Sequence, residues 1–597
     1  MVIGGEELLS QALEIFKKQY EAQGDNMILS RYIPADGSYV IVNPVGDGFE
    51  VEEPVNIKIN NKTKEMDRTH RLFEFICNAD YNSKLLDMNK PIDKNKIIHS
   101  NNYLSFFIKK ESLTNGKLTD EVIDNYYKVL EEPLSKYEKN SKAVELYNSI
   151  EKEIGKPDKE KILKIKQWIK NNIFNILEDK SGKDYLKIFF KYEDKEFKKE
   201  GKRYFVPNIY NSNDFNVKIG EEINGLPNDN MGLNAKKPYL ENKTRKAKVP
   251  YLISQEEVMQ QKRFFDYLMN QAAAGKTNIY IGEDIKALKN EEMLEEDFSG
   301  MYLRIKKGKE VEIHDFDLIP RYSPKLKKPF KYENVLKADN SILKQDYSTF
   351  SNQKSLRDII NEVFFSKFLV GNYFTDPKDL SITDNSLKDN LLISRAALAN
   401  WFNKGIENNI PDLLNKVSLR LIKGSIINGY SNKAIKQFNL RASLNKYFQG
   451  GEDMADVILQ VKEKLRSKIS IGGDQQIESD KEYFFAVGQL VSFFLSKSKG
   501  KNKPLSLANP FINAKKDKMI KEKLQALFKK YNYEIYNYDT KFRRLYSMVM
   551  GYEVNDNISD EMIIAGYLHS NLLFEKSSKN NDNSKDNDDN NEEGKKQ

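Results

Sequence analysis

The second half of the chain is constrained by a helical periodicity that continues almost without a break. From about Ser355 onward, apolar residues recur at three- and four-residue spacing, and short Gly, Asn or Pro segments separate the runs. The pattern predicts helices near 354–370, 387–405, 411–425, 430–447, 454–469, 480–498, 514–531, 540–550 and 559–574. A series of this kind predicts an all-α helical bundle over residues 351–575.

The first half of the chain, residues 1–350, has a mixed pattern. Helices are expected at 6–20, 120–152, 158–178 and 255–274, and short alternating runs predict strands at 38–43, 55–59, around Phe205, and at 279–281, 302–305 and 311–316. The predicted fold class is therefore an α+β N-terminal body followed by an all-α C-terminal helical bundle, predominantly helical overall. A chain of 597 residues requires two or more domains. The tail at 576–597 has no apolar residue and is predicted to be disordered.

Positive charge is concentrated between Lys497 and Arg544, where 14 Lys or Arg residues occur with 4 Asp or Glu residues. This local excess of +10 is larger than the net charge of +8 on the whole chain. Phe and Tyr residues alternate with the cations, a combination that favours binding of nucleic-acid backbones. The expected backbone contacts are Lys497, Lys499, Lys501, Lys503, Lys515, Lys516, Lys518, Lys523, Arg543 and Arg544. A solvated helix face in a Lys-rich protein is the alternative.

A second candidate region is the loop from Gly225 to Lys248. Glycine and asparagine allow tight turns and close backbone approach, and Asn amides with cationic side chains can contact base edges and phosphates. The candidate residues are Asn228, Asn230, Asn234, Lys236, Lys237, Lys243, Arg245 and Lys246. A solvated surface loop is the equally weighted alternative.

Short catalytic motifs give little support for an enzyme. Ala274–Thr277 resembles the end of a phosphate-binding loop, but Asn270 occupies the position of the required first glycine, so a helix C-cap at Gly275 is preferred. His314 and Asp315 lie in an alternating run, which places their side chains on opposite faces. We expect no catalytic residues, no metal site and no cofactor.

The remaining composition indicates a reducing, membrane-free location. The single cysteine, Cys77, lies in an apolar run and is expected to be a small core residue. Residues 1–16 do not have the charge pattern of a signal peptide, and the most apolar run, 483–495, is shorter than the roughly 18 residues of a membrane span. A cytoplasmic protein without a membrane partner is therefore expected.

Several longer segments together resemble the large subunit of type I-B CRISPR surveillance (Cascade) complexes. The resemblance extends from the first helix to about Phe574. It is carried by the segments 96–110, 225–246, 483–499, 509–515 and 565–568.

The resemblance implies a role without catalysis. Such subunits help recognise the protospacer-adjacent motif (PAM) in duplex DNA, promote strand opening, bind strands of the R-loop and present the target to a separate helicase-nuclease. The implied partners are CRISPR RNA (crRNA), target DNA, and the backbone, crRNA-end-binding and small subunits of the complex. The Gly225–Lys248 loop is the first choice for PAM recognition, and Asn101 with Asn102 is the second. A nuclease or NTPase with an unrecognised site, and a scaffold protein with a solvated basic face, are the competing hypotheses.

The region 454–575 is expected to be similar to a small subunit. Related complexes often contain a separate small helical subunit, and in type I-B systems it can be translated from inside the large-subunit gene. Codons for Gly450 and Gly451 can spell a GGAGG ribosome-binding sequence shortly before Met454. An ordinary interhelix turn at these glycines is the alternative interpretation.

Overall fold

The computed structural model describes residues 5–52, 54–60, 66–227, 252–336, 349–450, 454–471, 473–498, 508–536 and 539–575. The chain divides into two compact units. Unit 1 comprises Met1–Glu292 and Phe298–Arg321, and unit 2 comprises Met293–Asp297 and Tyr322–Gln597. The boundary between the units, at Arg321 and Tyr322, therefore precedes the boundary at 350 that the sequence predicts. The reason is that a strand pair at the start of unit 2 packs with the helices that follow it.

Unit 1 is an α+β body, as predicted. Its helices are α1 (Gly5–Gln23), α2 (Asn26–Leu29), α3 (Phe73–Tyr81), α4 (Asp120–Glu131), α5 (Ser141–Ile154), α6 (Lys159–Asn172), α7 (Asp194–Asn208) and α8 (Gln255–Ala273). Its strands are β1 (Gly37–Val45), β2 (Gly48–Val51), β3 (Val55–Ile57), β4 (Ser105–Lys109), β5 (Tyr185–Phe190), β6 (Val217–Ile219), β7 (Glu222–Asn224), β8 (Asn278–Ile281), β9 (Ile285–Leu288), β10 (Phe298–Lys307) and β11 (Val311–Tyr322).

The larger sheet of unit 1 has the strand order β2-β1-β5-β4, and β3 also pairs with β1. Strands β1 and β5 are parallel, whereas β4 is antiparallel to β5. Gly37 begins the parallel pair, and a Cβ atom there would lie 2.2 Å from the carbonyl oxygen of Tyr185. Only glycine therefore permits the two backbones to approach at this point.

Strand β5 is the central element that the sequence prediction omits. Lys187 interrupts its apolar run, yet this lysine is buried and forms an ion pair with Asp80 of α3. The Tyr32 hydroxyl donates a hydrogen bond of 2.7 Å to the same carboxylate. A paired charge can occupy a core position where an isolated one cannot, so the local sequence pattern is misleading here.

Two further predictions for unit 1 are changed by the structure. Phe205 lies in α7 and not in a strand, because the segment that follows the acidic first turn of this helix is buried on the core. The helical region expected at 120–152 is divided into α4 and α5 by a short 3₁₀ turn that begins at Pro133. The smaller sheet, with order β11-β10-β8-β9, includes the strands predicted near 279, 302 and 311.

Unit 2 is mainly helical, and its helices match the predicted series closely. They are α9 (Gln353–Val363), α10 (Asn385–Lys404), α11 (Ile410–Ile427), α12 (Ser431–Gln449), α13 (Met454–Ile471), α14 (Asp480–Ser496), α15 (Asn509–Ile512), α16 (Asp517–Tyr531), α17 (Thr540–Gly551) and α18 (Asp560–Leu568). The predicted fold class, an α+β body followed by a helical bundle, is confirmed. The bundle is preceded by an antiparallel ribbon of β12 (Lys325–Lys331) and β13 (Thr349–Asn352).

The core of unit 2 is centred on the crossing of α14 and α18. A Cβ atom on Gly488 would lie 2.2 Å from the carbonyl oxygen of Ile563, and one on Gly566 would lie 2.1 Å from that of Phe485. The buried Gln489 amide donates to the Gly566 carbonyl oxygen at 2.5 Å. The motifs at 483–499 and 565–568 therefore pack against each other, and their glycines have a structural cause.

Candidate nucleic-acid interface

Helix α16 carries the largest share of the predicted basic segment that the structure describes. Its apolar residues Ile520, Leu524, Leu527 and Tyr531 are spaced at four, three and four residues and are all buried in the core of unit 2. This spacing fixes one face of the helix inward and leaves the opposite face in solvent. Lysines in its last turn also interact favourably with the negative end of the helix dipole.

The outward face of α16 and the turn before it present the predicted cations to solvent. The exposed lysines are Lys515, Lys516, Lys518, Lys523, Lys529 and Lys530. None of the six forms an ion pair with another described residue. At a rise of about 1.5 Å per residue, the positions from 516 to 530 cover about 21 Å of helix axis. The surface is thus an extended row of positive charge.

One of the two acidic residues of α16, Asp517, is already neutralised. Asp517 forms an ion pair of 3.1 Å with Lys521 and accepts a hydrogen bond from the Tyr483 hydroxyl. Lys521 in turn donates to the carbonyl oxygen of Tyr552 at 2.5 Å. Lys521 therefore has a structural role, and the six exposed lysines share the surface with one exposed carboxylate of the helix, Glu522.

The aromatic residues of the basic segment divide between core and surface. Phe511, Tyr531 and Phe542 are at most 3% exposed and belong to the hydrophobic core. Phe528 is 36% exposed, and its ring is stacked on Tyr546 with centroids 5.1 Å apart. Tyr533 and Tyr536 are more than half exposed. Among the aromatic residues of this segment that the structure describes, only this second group is placed where it can contact a base.

The remaining predicted cations have differing environments. Arg544 is half-buried, and its Nη1 donates to the carbonyl oxygens of Ile469 and Ser470 at 2.8 and 3.0 Å. It thereby caps the C-terminal end of α13, which needs such donors, so its role is at least partly structural. Lys497 is half-buried above the ring of Phe493 at 4.7 Å. Lys499, Lys501 and Lys503 lie outside the described residues.

A groove of about 780 Å³ opens beside Arg543 and Arg544, between the end of α13 and helix α17. Gln475 and Gln476 lie exposed on its other side. Burial and a hydrogen bond to Asp480 raise the pKa of the groove residue Tyr552 to about 12, so its hydroxyl stays protonated at neutral pH. Amides, guanidinium groups and a phenol are groups that can contact both bases and phosphates.

The Gly225–Lys248 loop is anchored on unit 1 at its described ends. Gly225 and Ile253 form a two-bond antiparallel bridge, with N–H to oxygen distances of 3.0 and 3.1 Å. The Tyr210 hydroxyl lies 2.9 Å from the carbonyl oxygen of Ile223 and 3.0 Å from that of Ile253. A Cβ atom on Gly225 would lie 2.5 Å from the Tyr210 ring, so glycine is required there.

The candidate residues of this loop, Asn228, Asn230, Asn234, Lys236, Lys237, Lys243, Arg245 and Lys246, lie outside the described residues. Their role in recognition stays a prediction.

Asn101 and Asn102, the second choice for DNA recognition, are each 1% exposed. The Asn101 amide donates to the carbonyl oxygen of Lys84 at 2.6 Å, and the Asn102 amide donates to that of Phe197 at 3.1 Å. The Asn102 side-chain oxygen also accepts from the Leu104 N–H at 3.0 Å. Both amides hold the turn before β4, and reading a base would require that turn to open.

The residues of the short motifs considered for catalysis lie at a helix end, on a strand and in the core. Ala274 is the C-cap residue of α8, and Gly275 follows it with φ +77. The Gly275 N–H donates to the carbonyl oxygen of Ala272 at 3.1 Å, so this glycine belongs to a helix terminus, one residue after the cap position that the sequence predicts. His314 lies on β11 with its Nε2 3.1 Å from a Glu312 oxygen. Cys77 is buried in α3, and burial raises the pKa of its thiol to about 12.

The described residues include neither a cluster of metal ligands nor a membrane-spanning helix. Among them, no group of three or more His, Cys, Asp or Glu side chains has the arrangement of a metal site. In the same part of the chain, every helix is too short or too polar to be a membrane-spanning segment.

Sequence reasoning missed one concentration of exposed positive charge. Lys325, Lys327, Lys328 and Lys331 all lie exposed on strand β12. The signal was visible as Lys-Leu-Lys-Lys-Pro-Phe-Lys, but lysine is frequent throughout the chain and a run of seven residues does not distinguish a strand from a loop.

Comparisons of this chain with models of known protein families, with curated proteins and with solved structures found no significant match.

Proposed function

We propose that this chain is the non-catalytic large subunit of a crRNA-guided type I-B CRISPR surveillance complex. The observation that carries the proposal is the row of solvent-facing lysines on α16, which have no ion-pair partner among the described residues. Lysines of this kind neutralise phosphates without reading sequence. The resemblance of the five sequence segments to such subunits supplies the identity of the complex.

The proposed division of labour follows from the guide mechanism. Pairing between crRNA and the target strand reads the sequence, so the protein has to recognise only a short PAM and the nucleic-acid backbone. In this proposal, α16 holds a DNA strand of the R-loop by its phosphates. The Gly225–Lys248 loop reads the PAM from its anchored base on unit 1.

The partners in this proposal are those of a multisubunit assembly in the cytoplasm. The chain binds crRNA and target DNA, contacts the backbone, crRNA-end-binding and small subunits, and presents the opened target to a recruited helicase-nuclease. No membrane partner and no cofactor are part of the proposal.

Binding and cleavage assays with the purified chain test the proposal against its two competitors. We expect salt-dependent binding to labelled single-stranded and duplex DNA, and intact DNA after incubation with Mg²⁺, Mn²⁺ or ATP. Metal-dependent cleavage or ATP hydrolysis would favour a nucleic-acid-processing enzyme. Binding that is absent, or that does not change between low and high salt, would favour a scaffold protein with a solvated basic face.

A further inference from the structure

The ribbon formed by β12 and β13 presents a dense group of lysines on a fixed support. Phe330 of β12 is buried and stacks on Phe350 of β13 with ring centroids 6.0 Å apart. The same ring lies 5.8 Å from that of Tyr447 on α12. These contacts hold the ribbon on the helical bundle and direct its polar side chains outward.

The pairing of the ribbon explains why so many of its side chains are exposed. The register between β12 and β13 shifts between Lys325 and Phe330. Such an irregularity leaves residues unpaired and turns successive side chains outward. Lys327 and Lys328, which are adjacent in sequence, are consequently both exposed.

The positive charge of the ribbon is only partly compensated. Lys327 forms an ion pair with Glu407, and Lys331 lies 3.7 Å from Glu333. Lys325 and the exposed Lys354, one residue into α9, form no ion pair with a described residue. Cations therefore remain available on this surface for an anionic ligand.

A groove of about 620 Å³ lies directly beside the ribbon. Its walls include Lys327 and Lys328 from β12, Asn408 and Asn409 from the loop before α11, and the ring of Phe448. The volume is within the range of roughly 300–1,000 Å³ found for small-ligand pockets.

The aromatic wall of the groove is packed against neighbouring rings. Phe448 is half-buried, with its ring centroid 5.9 Å from that of Trp401 and 5.0 Å from that of Tyr447. The ammonium group of Lys328 lies 5.3 Å from the centroid of the Tyr447 ring. A flat ring beside a cation is the arrangement on which an unpaired base stacks.

The charges separate the two parts of the surface. Two lysines, Lys327 and Lys328, and two acids, Glu407 and Asp412, line the groove, so its wall charges balance. Lys325 on the ribbon and Lys354 just after it lie outside the groove and supply uncompensated positive charge. A neutral base can enter the groove while its phosphates lie on the ribbon. In a duplex the bases are stacked and paired, so only an unpaired nucleotide can be accommodated in this way.

From this geometry we infer that the ribbon and the groove form a second binding site, which takes single-stranded nucleic acid with one unpaired base in the groove. The inference rests on the proposed function, because it assigns a further contact to a nucleic-acid-binding chain. The site is separate from the α16 lysines in sequence and uses different residues.

Anisotropy measurements with single-stranded DNA, single-stranded RNA and duplex DNA test the inference on the full-length chain. The variant Lys325→Glu/Lys328→Glu/Lys354→Glu should weaken single-strand binding about tenfold, with a much smaller effect on the duplex. The matched control is Lys117→Glu/Lys139→Glu/Lys183→Glu, which changes three exposed loop lysines of unit 1 by the same charge. Comparison of single-stranded DNA with single-stranded RNA shows which of the two binds the site more tightly.

Photocrosslinking provides a second readout, which locates the bound base on the parent chain. A single strand containing 5-iodouracil should crosslink to a peptide that contains Phe448, and Phe448→Leu should reduce that product while retaining the apolar volume. Absence of this crosslink, or equal losses on single strands and duplex, would overturn the inference.

The two proposals fail in distinguishable ways. If the ribbon variant binds single strands as the parent does while α16 variants lose binding, the second site is refuted and the proposed function stands. If the parent chain binds no nucleic acid, both are refuted.

Discussion

Charge reversal of four α16-region lysines gives a quantitative prediction. The variant Lys515→Glu/Lys516→Glu/Lys518→Glu/Lys523→Glu changes side chains that are exposed and lack ion pairs with described residues, so little folding free energy is lost. Lys521 is left unchanged because it pairs with Asp517 and with the backbone at Tyr552. Loss of binding can then be attributed to the missing phosphate contacts.

The expected magnitude follows from counterion release. Each neutralised phosphate contributes about 0.7 to the salt slope for a single strand and about 0.9 for duplex DNA, so losing four contacts lowers the slope by about 3. With a slope difference of about 3, raising the salt concentration from 50 to 200 mM changes the ratio of the parent's affinity to the variant's affinity about 60-fold. The parent therefore loses affinity with salt much more steeply than the variant.

The assay is fluorescence anisotropy across this salt range, with a control that has the same net charge. Four Lys→Glu changes alter the charge by −8, from +8 to 0. The control Lys117→Glu/Lys139→Glu/Lys156→Glu/Lys183→Glu makes the same change at exposed loop positions of unit 1. Equal salt slopes for the parent and the α16 variant, or equal effects of variant and control, would refute a localised binding face.

The remaining predictions concern PAM reading, translation, packing and pH. Asn228→Ala/Asn230→Ala should reduce discrimination between PAM and non-PAM duplexes, measured by competition binding. A C-terminally tagged gene should yield a second, shorter product that begins at Met454 and disappears when the two preceding glycine codons are recoded synonymously. Gly488→Ala should lower the unfolding free energy by about 1–3 kcal/mol in denaturant titrations, because its Cβ would overlap α18. Stability, measured in thermal unfolding scans, should fall as the pH drops from about 6.5 towards 4. In His569→Gln, the part of this fall that comes from protonation of His569 should be absent.

The sign of the pH effect follows from the environment of His569. Burial, and then the charge of Lys462, lower the pKa of this imidazole to about 4. Its Nδ1 lies 3.2 Å from the Lys462 ammonium group, which requires the neutral ring as the acceptor. Below about pH 6.5 the unfolded chain binds a proton that the folded chain does not, so stability decreases.

Each of these predictions has a result that would contradict it. Unchanged PAM discrimination would give the loop another role, and a single full-length product before recoding would exclude internal initiation. Parent-like stability of Gly488→Ala would show that α14 and α18 can separate at this crossing. An unchanged pH profile in His569→Gln would assign the acid sensitivity to other groups.

The structure bears on the Met454 product in two ways. Helix α13 begins at Met454, and Gly450 has φ +63 at the end of α12, so this glycine has a structural role whatever its codon does. Helix α18 is paired through Glu561 with Arg441 of α12, at 3.0 Å. A product starting at Met454 lacks that partner and part of the shared core, so we expect it to be less stable than the same helices in the full chain.

The helices of unit 2 could be predicted from sequence because their apolar spacing is regular and Gly or Asn marks their ends. Strand β5 could not be predicted from sequence, because the charge of the buried Lys187 is compensated by Asp80, which is distant in sequence. The α16 lysines were found from local charge, whereas the structural role of Arg544 depends on the end of another helix. Burial of Asn101 likewise depends on long-range packing that a local motif does not encode.

In the parts that the structure describes, the segments that carry the family resemblance are largely core elements. Gly488 and Gly566 permit a close helix crossing, and Phe511 and Ile512 are buried in the same core. Asn102 fixes the turn before β4. These residues specify a fold, whereas the described residues proposed to contact nucleic acid lie mostly on the exposed surface.

The most direct test of the central claim is an omission experiment with a reconstituted type I-B complex. The crRNA-loaded complex is assembled with and without this chain, and strand opening in PAM and non-PAM duplexes is followed by permanganate reactivity of protospacer thymines. The proposal predicts opening only when both the chain and the PAM are present. Failure of the chain to join the complex, or equal opening without it, would contradict the proposal.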